Sequence, residues 1–210
     1  MPELVIFDCD GVLVDSEPLS NQVLNRHLAA VGLPLSLEES AARFTGRSMA
    51  SCVRLIEQSL GAALPSDFVA AVREDTRAAF EGRLKAVQGV HEVLAALARP
   101  FCVASSGSHA KIRHSLGLTG LARFFDDARI FSAEDVARGK PAPDLFLLAA
   151  ARCGAPAGAC VVVEDSRPGV EAAVAAGMPV LGFAARTGPR NLEAAGATVF
   201  NRMDQLAALL

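Results

Sequence analysis

No two of the five cysteines in this chain form a C-x-x-C pair. Cys9, Cys52, Cys102, Cys153 and Cys160 are scattered and odd in number, which argues against a disulfide framework or a cysteine zinc site. They read instead as buried, reduced thiols that pack as small apolar groups. The four histidines show no metal-ligand spacing either. Basic runs are missing as well: 20 Lys plus Arg stand against 23 Asp plus Glu, a formal net charge of -3. The chain therefore offers no nucleic-acid or anionic-membrane footprint, and an anionic substrate needs locally placed cations. The opening MPELVIFDCD has no basic region, and its apolar run is too short and too quickly acidic for a signal peptide or a spanning helix. The expectation is a cytoplasmic, monomeric protein with neither membrane nor nucleic-acid partner. Internal repeats, low-complexity tracts and long linkers are absent too.

What is present is a hydrophobic content of 51% over 210 residues, enough for one sizeable domain or a core with a smaller companion. Short apolar runs read as buried parallel strands: LVIF from Leu4, FCVA from Phe101, ARIF from Ala128, CVVV from Cys160, PVLGF from Pro179 and a weaker TVF from Thr198. Helical patterns lie between them. In SRPGVEAAVAAGMP, Ser166 is placed to cap, Pro168 falls in the first turn, and Gly177 then Pro179 end the helix. Alternation of this kind predicts a doubly wound parallel α/β sheet of Rossmann-like type. From Pro18 to about Gly82 the alternation stops and only helix-like segments occur, one of them opened by a capping box at Ser36. The reading is a core of residues 1–16 and 84–210 with an all-helical insertion, residues 17–83, entered near Ser16 to Pro18 and left near Gly82 to Ala86.

The stretch VIFDCDGVLVDSE gathers Asp8, Asp10 and Asp15 directly after the first strand. Two like charges about 4 Å apart repel by roughly 4 kcal/mol at an intermediate dielectric, so a cation is expected among them. Asp15 can simply cap the helix that follows. Ser105 and Ser106 end the second strand pattern, and Glu164 with Asp165 ends CVVV. Carboxyl ends of parallel strands open onto one sheet edge, so these groups can converge. Lys140 in RGKPAP, after ARIF, can reach the same edge.

The chemistry that needs these parts together is phosphoryl transfer through an aspartate. Asp8 serves as nucleophile, and Asp10 as the acid that protonates the leaving oxygen and then the base that activates water. Mg2+ with hard oxygen ligands, offered by Asp8, Asp165 and Glu164, lets an anion approach. Ser105, with Ser106 as its neighbour, and Lys140 are placed to bind phosphate oxygens. Arg47, in FTGRS of the insertion, can reach a carboxylate or second phosphate with its guanidinium, or remain a solvated turn residue.

FDCDGVLVDSE, ASSG, GKPAP and VVVEDS, in this order, resemble the four motifs of the haloacid dehalogenase-like hydrolases. The helical insertion resembles the cap of the β-phosphoglucomutase and phosphoglycolate phosphatase branch. DSEPL, HSLGL, GKPAPDLFL and EDSRPGVEAAVAAGM look most like small sugar-phosphate phosphatases, 6-phosphogluconate phosphatases among them. The resemblance implies Mg2+ on Asp8, the Asp10 backbone carbonyl, Asp165 and Glu164, and a small phosphorylated metabolite as partner. Dehalogenases lack the second aspartate, so Asp10 argues against carbon–halogen cleavage. β-Phosphoglucomutases carry a histidine where an ungapped alignment gives Ser20, which favours hydrolysis. A sugar-phosphate mutase remains the alternative, followed by a phospho-receiver module, although a receiver has no use for Asp10 or the insertion.

Overall fold

The computed structural model describes all 210 residues. Six strands, β1 (Leu4–Phe7), β2 (Phe101–Ser105), β3 (Ile130–Ser132), β4 (Cys160–Glu164), β5 (Val180–Phe183) and β6 (Thr198–Phe200), form one parallel sheet in the order β3-β2-β1-β4-β5-β6. This is the doubly wound arrangement, and the order reverses between β1 and β4, where Phe7 pairs with Val163. One expected boundary moves: ARIF was placed from Ala128, whereas residues 127–129 form a turn of 3-10 helix and the strand starts at Ile130, the partner of Val103.

Alternate residues of the central strand feed two separate cores. Val5 and Phe7 join 25 buried residues on one face, Leu4 and Ile6 join 18 on the other. Helices α5 (Val90–Ala96), α6 (His109–Leu118) and α10 (Leu206–Leu209) cover the first face through Leu94, Ile112, Leu116 and Leu206. Helices α7 (Asp144–Arg152), α8 (Arg167–Ala175) and α9 (Pro189–Glu193) cover the second through Phe146, Ala149, Val170 and Leu192. Because both faces are buried, the strands read as continuous apolar runs rather than alternating ones.

Residues after β1 leave the sheet for α1 (Glu17–Ala30), α2 (Leu37–Phe44), α3 (Met49–Leu60) and α4 (Phe68–Phe80). Ser36 forms its capping box with Glu39. These four helices have a small core of their own, in which Leu28, Phe44, Ile56, Phe68 and Val72 are buried. The outgoing and returning segments bond to each other: Asp15 N–H donates to Lys85 O at 2.9 Å, and Val87 N–H to Leu13 O at 2.9 Å. Asp15 does not cap α1. Ser16 takes the N-cap position without a side-chain bond to the helix backbone, and Asp15 instead accepts two bonds from Arg186, at 2.7 and 2.6 Å. No helix is long and apolar enough to cross a membrane.

Candidate active site

β1 and β4 carry their acids to the sheet edge side by side. Asp8 N–H still donates to Val163 O at 2.9 Å, so the ladder with β4 holds its backbone. Asp8, Glu164 and Asp165 are all buried and each offers a carboxylate oxygen within 4.8 Å of the others. Lys140, expected at the phosphate, is instead buried among these acids: it is 1% exposed, and its Nζ donates to Asp8 Oδ1 at 2.6 Å, Glu164 Oε1 at 2.7 Å and Ala104 O at 3.1 Å. An ammonium has three N–H donors, and all are used here. Glu164 is equally committed: its Oε2 accepts from Ser166 N–H at 2.8 Å and Ser166 Oγ at 2.9 Å. A Cβ on Gly169 would lie 1.7 Å from Glu164 Oε1, so the start of α8 can pass this carboxylate only as glycine.

Asp165 is the exception. It is 5% exposed, and no protein donor reaches its carboxylate. Burial, then Glu164, Glu17 and Asp8, push its carboxyl well above the ordinary carboxylate range. Burial also raises Asp8, to about 7, against the pull of Lys140. A Cβ on Gly11, at φ 80°, would come 1.9 Å from Asp165 Oδ2. A buried, unpartnered carboxylate next to a second one, both hard oxygen donors, fits a divalent cation such as Mg2+.

Asp10 has a different set of partners. With Asp8 it lines a cavity of about 450 Å³ between the sheet edge and α1–α4, and Lys140, Glu164 and Asp165 do not line that cavity. Asp10 Oδ1 accepts from Ser16 Oγ at 2.5 Å and Lys111 Nζ at 2.8 Å. Burial alone would raise its carboxyl, but Lys111 and these bonds outweigh burial and hold it below its ordinary value. Ser105 also lines the cavity, and its Oγ accepts from Gly107 N–H at 3.1 Å, leaving the hydroxyl hydrogen free. Ser106, expected beside it at the phosphate, donates its hydroxyl to Gly46 O at 3.0 Å and so ties the sheet edge to the α2–α3 turn. A Cβ on Gly46, at φ 76°, would lie 2.2 Å from Ser166 Oγ, so this turn sits directly on the site. Arg47 lines the cavity; its Nε donates to Arg43 O at 3.0 Å and it pairs with no carboxylate.

Sequence reasoning missed two residues here. Glu17, in the first turn of α1, lines the cavity and accepts from Thr45 Oγ1 at 3.1 Å and Asn21 Nδ2 at 3.3 Å. Lys111 lies in the first turn of α6, six residues after Ser105, and nothing in the sequence separates it from a solvated surface lysine. His109 does not line the cavity and pairs with Asp135 at 2.8 Å.

The haloacid dehalogenase-like hydrolase family matches residues 2–177. The chain belongs to this family. Among its curated relatives, a hydrolase of Escherichia coli K12 named 6-phosphogluconate phosphatase is 32% identical over 208 residues, 99% of this chain and 94% of that one. A crystal structure of a conserved haloacid dehalogenase-like protein from Agrobacterium tumefaciens superimposes with a TM-score of 0.83 at 37% identity, covering 100% of this chain and 97% of that one. A family hydrolase from Deinococcus radiodurans, crystallised with bound phosphate and sodium, gives 0.76 at 34% identity over 99% and 94% of the two chains. The doubly wound hydrolase fold is thus shared over the whole length, insertion included.

Proposed function

We propose that this hydrolase is a Mg2+-dependent phosphomonoesterase that acts on small sugar or polyol phosphates through a phosphoryl group carried on Asp8, with residues 17–83 as a cap over the core. The observation that carries the reading is the division of labour between two neighbouring aspartates. Asp8 is backed by a fully enclosed lysine and adjoins an unpartnered carboxylate; Asp10 projects into a substrate-sized cavity. The kinship with sugar-phosphate phosphatases agrees with it.

Lys140 binds Asp8 Oδ1 and leaves Oδ2 for attack on phosphorus. With its donors committed, Lys140 acts by its charge, which offsets the negative charge gathered around Asp8. Ser105 directs its free hydroxyl hydrogen to a phosphate oxygen. Lys111 and Ser16 favour the ionised form of Asp10, so it acts as acid in its minor protonated form: it takes a proton from solvent, gives it to the departing ester oxygen, and as a carboxylate then takes one from the water that cleaves the phospho-aspartate. Asp8, Asp165 and the Asp10 carbonyl would hold Mg2+, while Glu164 fixes Lys140 and the start of α8. When bound, the ion supplies the positive charge that lets a phosphate dianion approach two carboxylates. Arg47 supplies the cavity with a guanidinium that no carboxylate neutralises. Ser20 stands where β-phosphoglucomutases have histidine, which supports release of phosphate over its return to the sugar.

The test is incubation with a panel of sugar phosphates, including 6-phosphogluconate and β-glucose 1-phosphate with a bisphosphate activator, with and without Mg2+. The expected result is Mg2+-dependent phosphate release confined to a few substrates. Isomerised sugar without phosphate would replace the reading by a mutase.

A further inference from the structure

Four cationic side chains line the cavity, and three of them are set apart from the reacting groups or already matched. Arg73 faces Glu134 at 3.6 Å and Arg77 faces Glu74 at 2.8 Å, on side chains more than half exposed. Arg47 belongs to the turn between α2 and α3. Lys111 is different: it alone bonds to one of the two aspartates on the cavity side. Its Nζ makes one hydrogen bond to protein, to Asp10, and lies 5.8 Å from the centre of the Phe80 ring. Two of its three N–H donors are therefore unclaimed, on a side chain that is 31% exposed and lines the cavity. Lys140, which the sequence offered as the phosphate-binding cation, has none to spare.

We infer that Lys111 is a substrate-binding residue, which donates to an oxygen on the carbon next to the ester carbon of the leaving group. The inference rests on the phosphatase reading above, because it uses Asp10 as the proton donor. Proton transfer requires the ester oxygen within roughly 3 Å of the Asp10 carboxylate. Lys111 Nζ is 2.8 Å from Oδ1, which also accepts from Ser16, so the proton is carried by Oδ2, and Nζ and the ester oxygen are at most about 8 Å apart once substrate is seated. A hydroxyl or carboxylate on the neighbouring carbon falls within that gap and meets the free N–H groups. Asp10 and the Phe80 ring fix the ammonium beforehand, so little side-chain freedom is lost on binding. The substrate class this defines is a monoester with an oxygen acceptor vicinal to the ester, as in polyol and sugar-acid phosphates; a simple alkyl phosphate lacks it.

The test compares glycerol 3-phosphate, 2-phosphoglycolate and 3-hydroxypropyl phosphate, which carry respectively a vicinal hydroxyl, a vicinal carboxylate and neither, with p-nitrophenyl phosphate as reference, on wild type, Lys111→Met and Lys111→Arg. Loss of one hydrogen bond to a charged donor predicts that Lys111→Met lowers kcat/KM for the favoured vicinal substrate by about tenfold or more, mainly through KM. The preference over 3-hydroxypropyl phosphate should collapse toward one, and Lys111→Arg should restore part of it. Which of the two vicinal substrates is more affected tells hydroxyl from carboxylate. Equal loss on every substrate with KM unchanged would mean that Lys111 acts only through Asp10, and no loss would mean that it is a bystander; either result overturns the inference and leaves the phosphatase reading intact. A wild type that releases no phosphate with Mg2+ present from these esters or from any member of the sugar-phosphate panel above overturns both. In an Asp8→Asn background, calorimetric affinity for glycerol 3-phosphate should fall by a similar factor with Lys111→Met, a readout independent of turnover.

Discussion

The sheet and the helical insertion are built to different standards. The sheet is clamped between two buried clusters of 25 and 18 residues, whereas α1–α4 share one of 7. The acids proposed to carry the chemistry are attached to the larger construction, at strand ends whose backbone is held by neighbouring ladders. The insertion contributes Glu17, Arg47 and much of the cavity wall from a thinner scaffold. Bond making needs groups fixed to within a fraction of an ångström, while choosing a leaving group tolerates a wall that shifts. Under the proposed function, the difference puts reaction and selection on separately stabilised parts of one chain.

Replacing Asp8 with Asn tests the first half of that statement and should have the largest effect. Phosphate release should fall by about 10⁴-fold or more, as when a nucleophile is removed, with melting temperature little lowered. Turnover near the wild-type rate would move the chemistry away from the strand end. Next comes Lys140→Met, which leaves Asp8 and Glu164 as buried charges without their shared partner. Chemical denaturation should show a loss of about 3–5 kcal/mol, and a change confined to activity would mean that the lysine is not structural.

In the insertion, Ile56 is fully buried in its small core, and Ile56→Ala should cost roughly 2–5 kcal/mol. Hydrogen exchange should show that loss in α1–α4 alone, with β1 and β4 protected as before. Uniform deprotection would erase the contrast between the two parts. The smallest effect expected is on the pH dependence of stability. Asp8, raised by burial to about 7 from 3.8, keeps a proton in the folded chain that the unfolded chain has already lost, and Asp165 shifts in the same sense. The stabilisation this gives is complete below the unfolded value and disappears as pH climbs through about 7. Without Mg2+ these groups make the protein melt lower at pH 8 than at pH 5. Adding Mg2+, which competes with those protons, should raise the melting temperature more at pH 8, and an equal rise at both values would remove Asp8 and Asp165 from the metal site.

Much of this arrangement was legible in the sequence, because each acid follows its apolar strand directly: Asp8 after LVIF, Glu164 and Asp165 around the end of CVVV. Buried parallel strands announce themselves as continuous apolar runs, and their ends share an edge by topology. What could not be read depends on which distant segments touch. Ser106 looked like a second phosphate donor, yet its hydroxyl is spent on Gly46, 60 residues away. Asp15 looked like a helix cap, but Arg186 claims it from 171 residues along the chain. Glu164 is one of three carboxylates close enough to share an ion, and it also anchors Lys140, a contact that no sequence pattern shows. Lys111 had no sequence signal, since its importance is a matter of which wall of the cavity it occupies.

The position of β1 has a consequence for how the chain acquires its shape. This strand lies in the middle of the sheet, paired with β2 and β4, yet it is made before either. At a synthesis rate of about 5–20 residues per second, LVIF waits roughly ten to thirty seconds for the strand that completes its second ladder. During that interval α1–α4 are already made and have only local contacts to form, which fold quickly. The helical insertion is therefore the first part of the molecule able to take shape on the ribosome. Asp8, although among the first residues made, is among the last to be set in place.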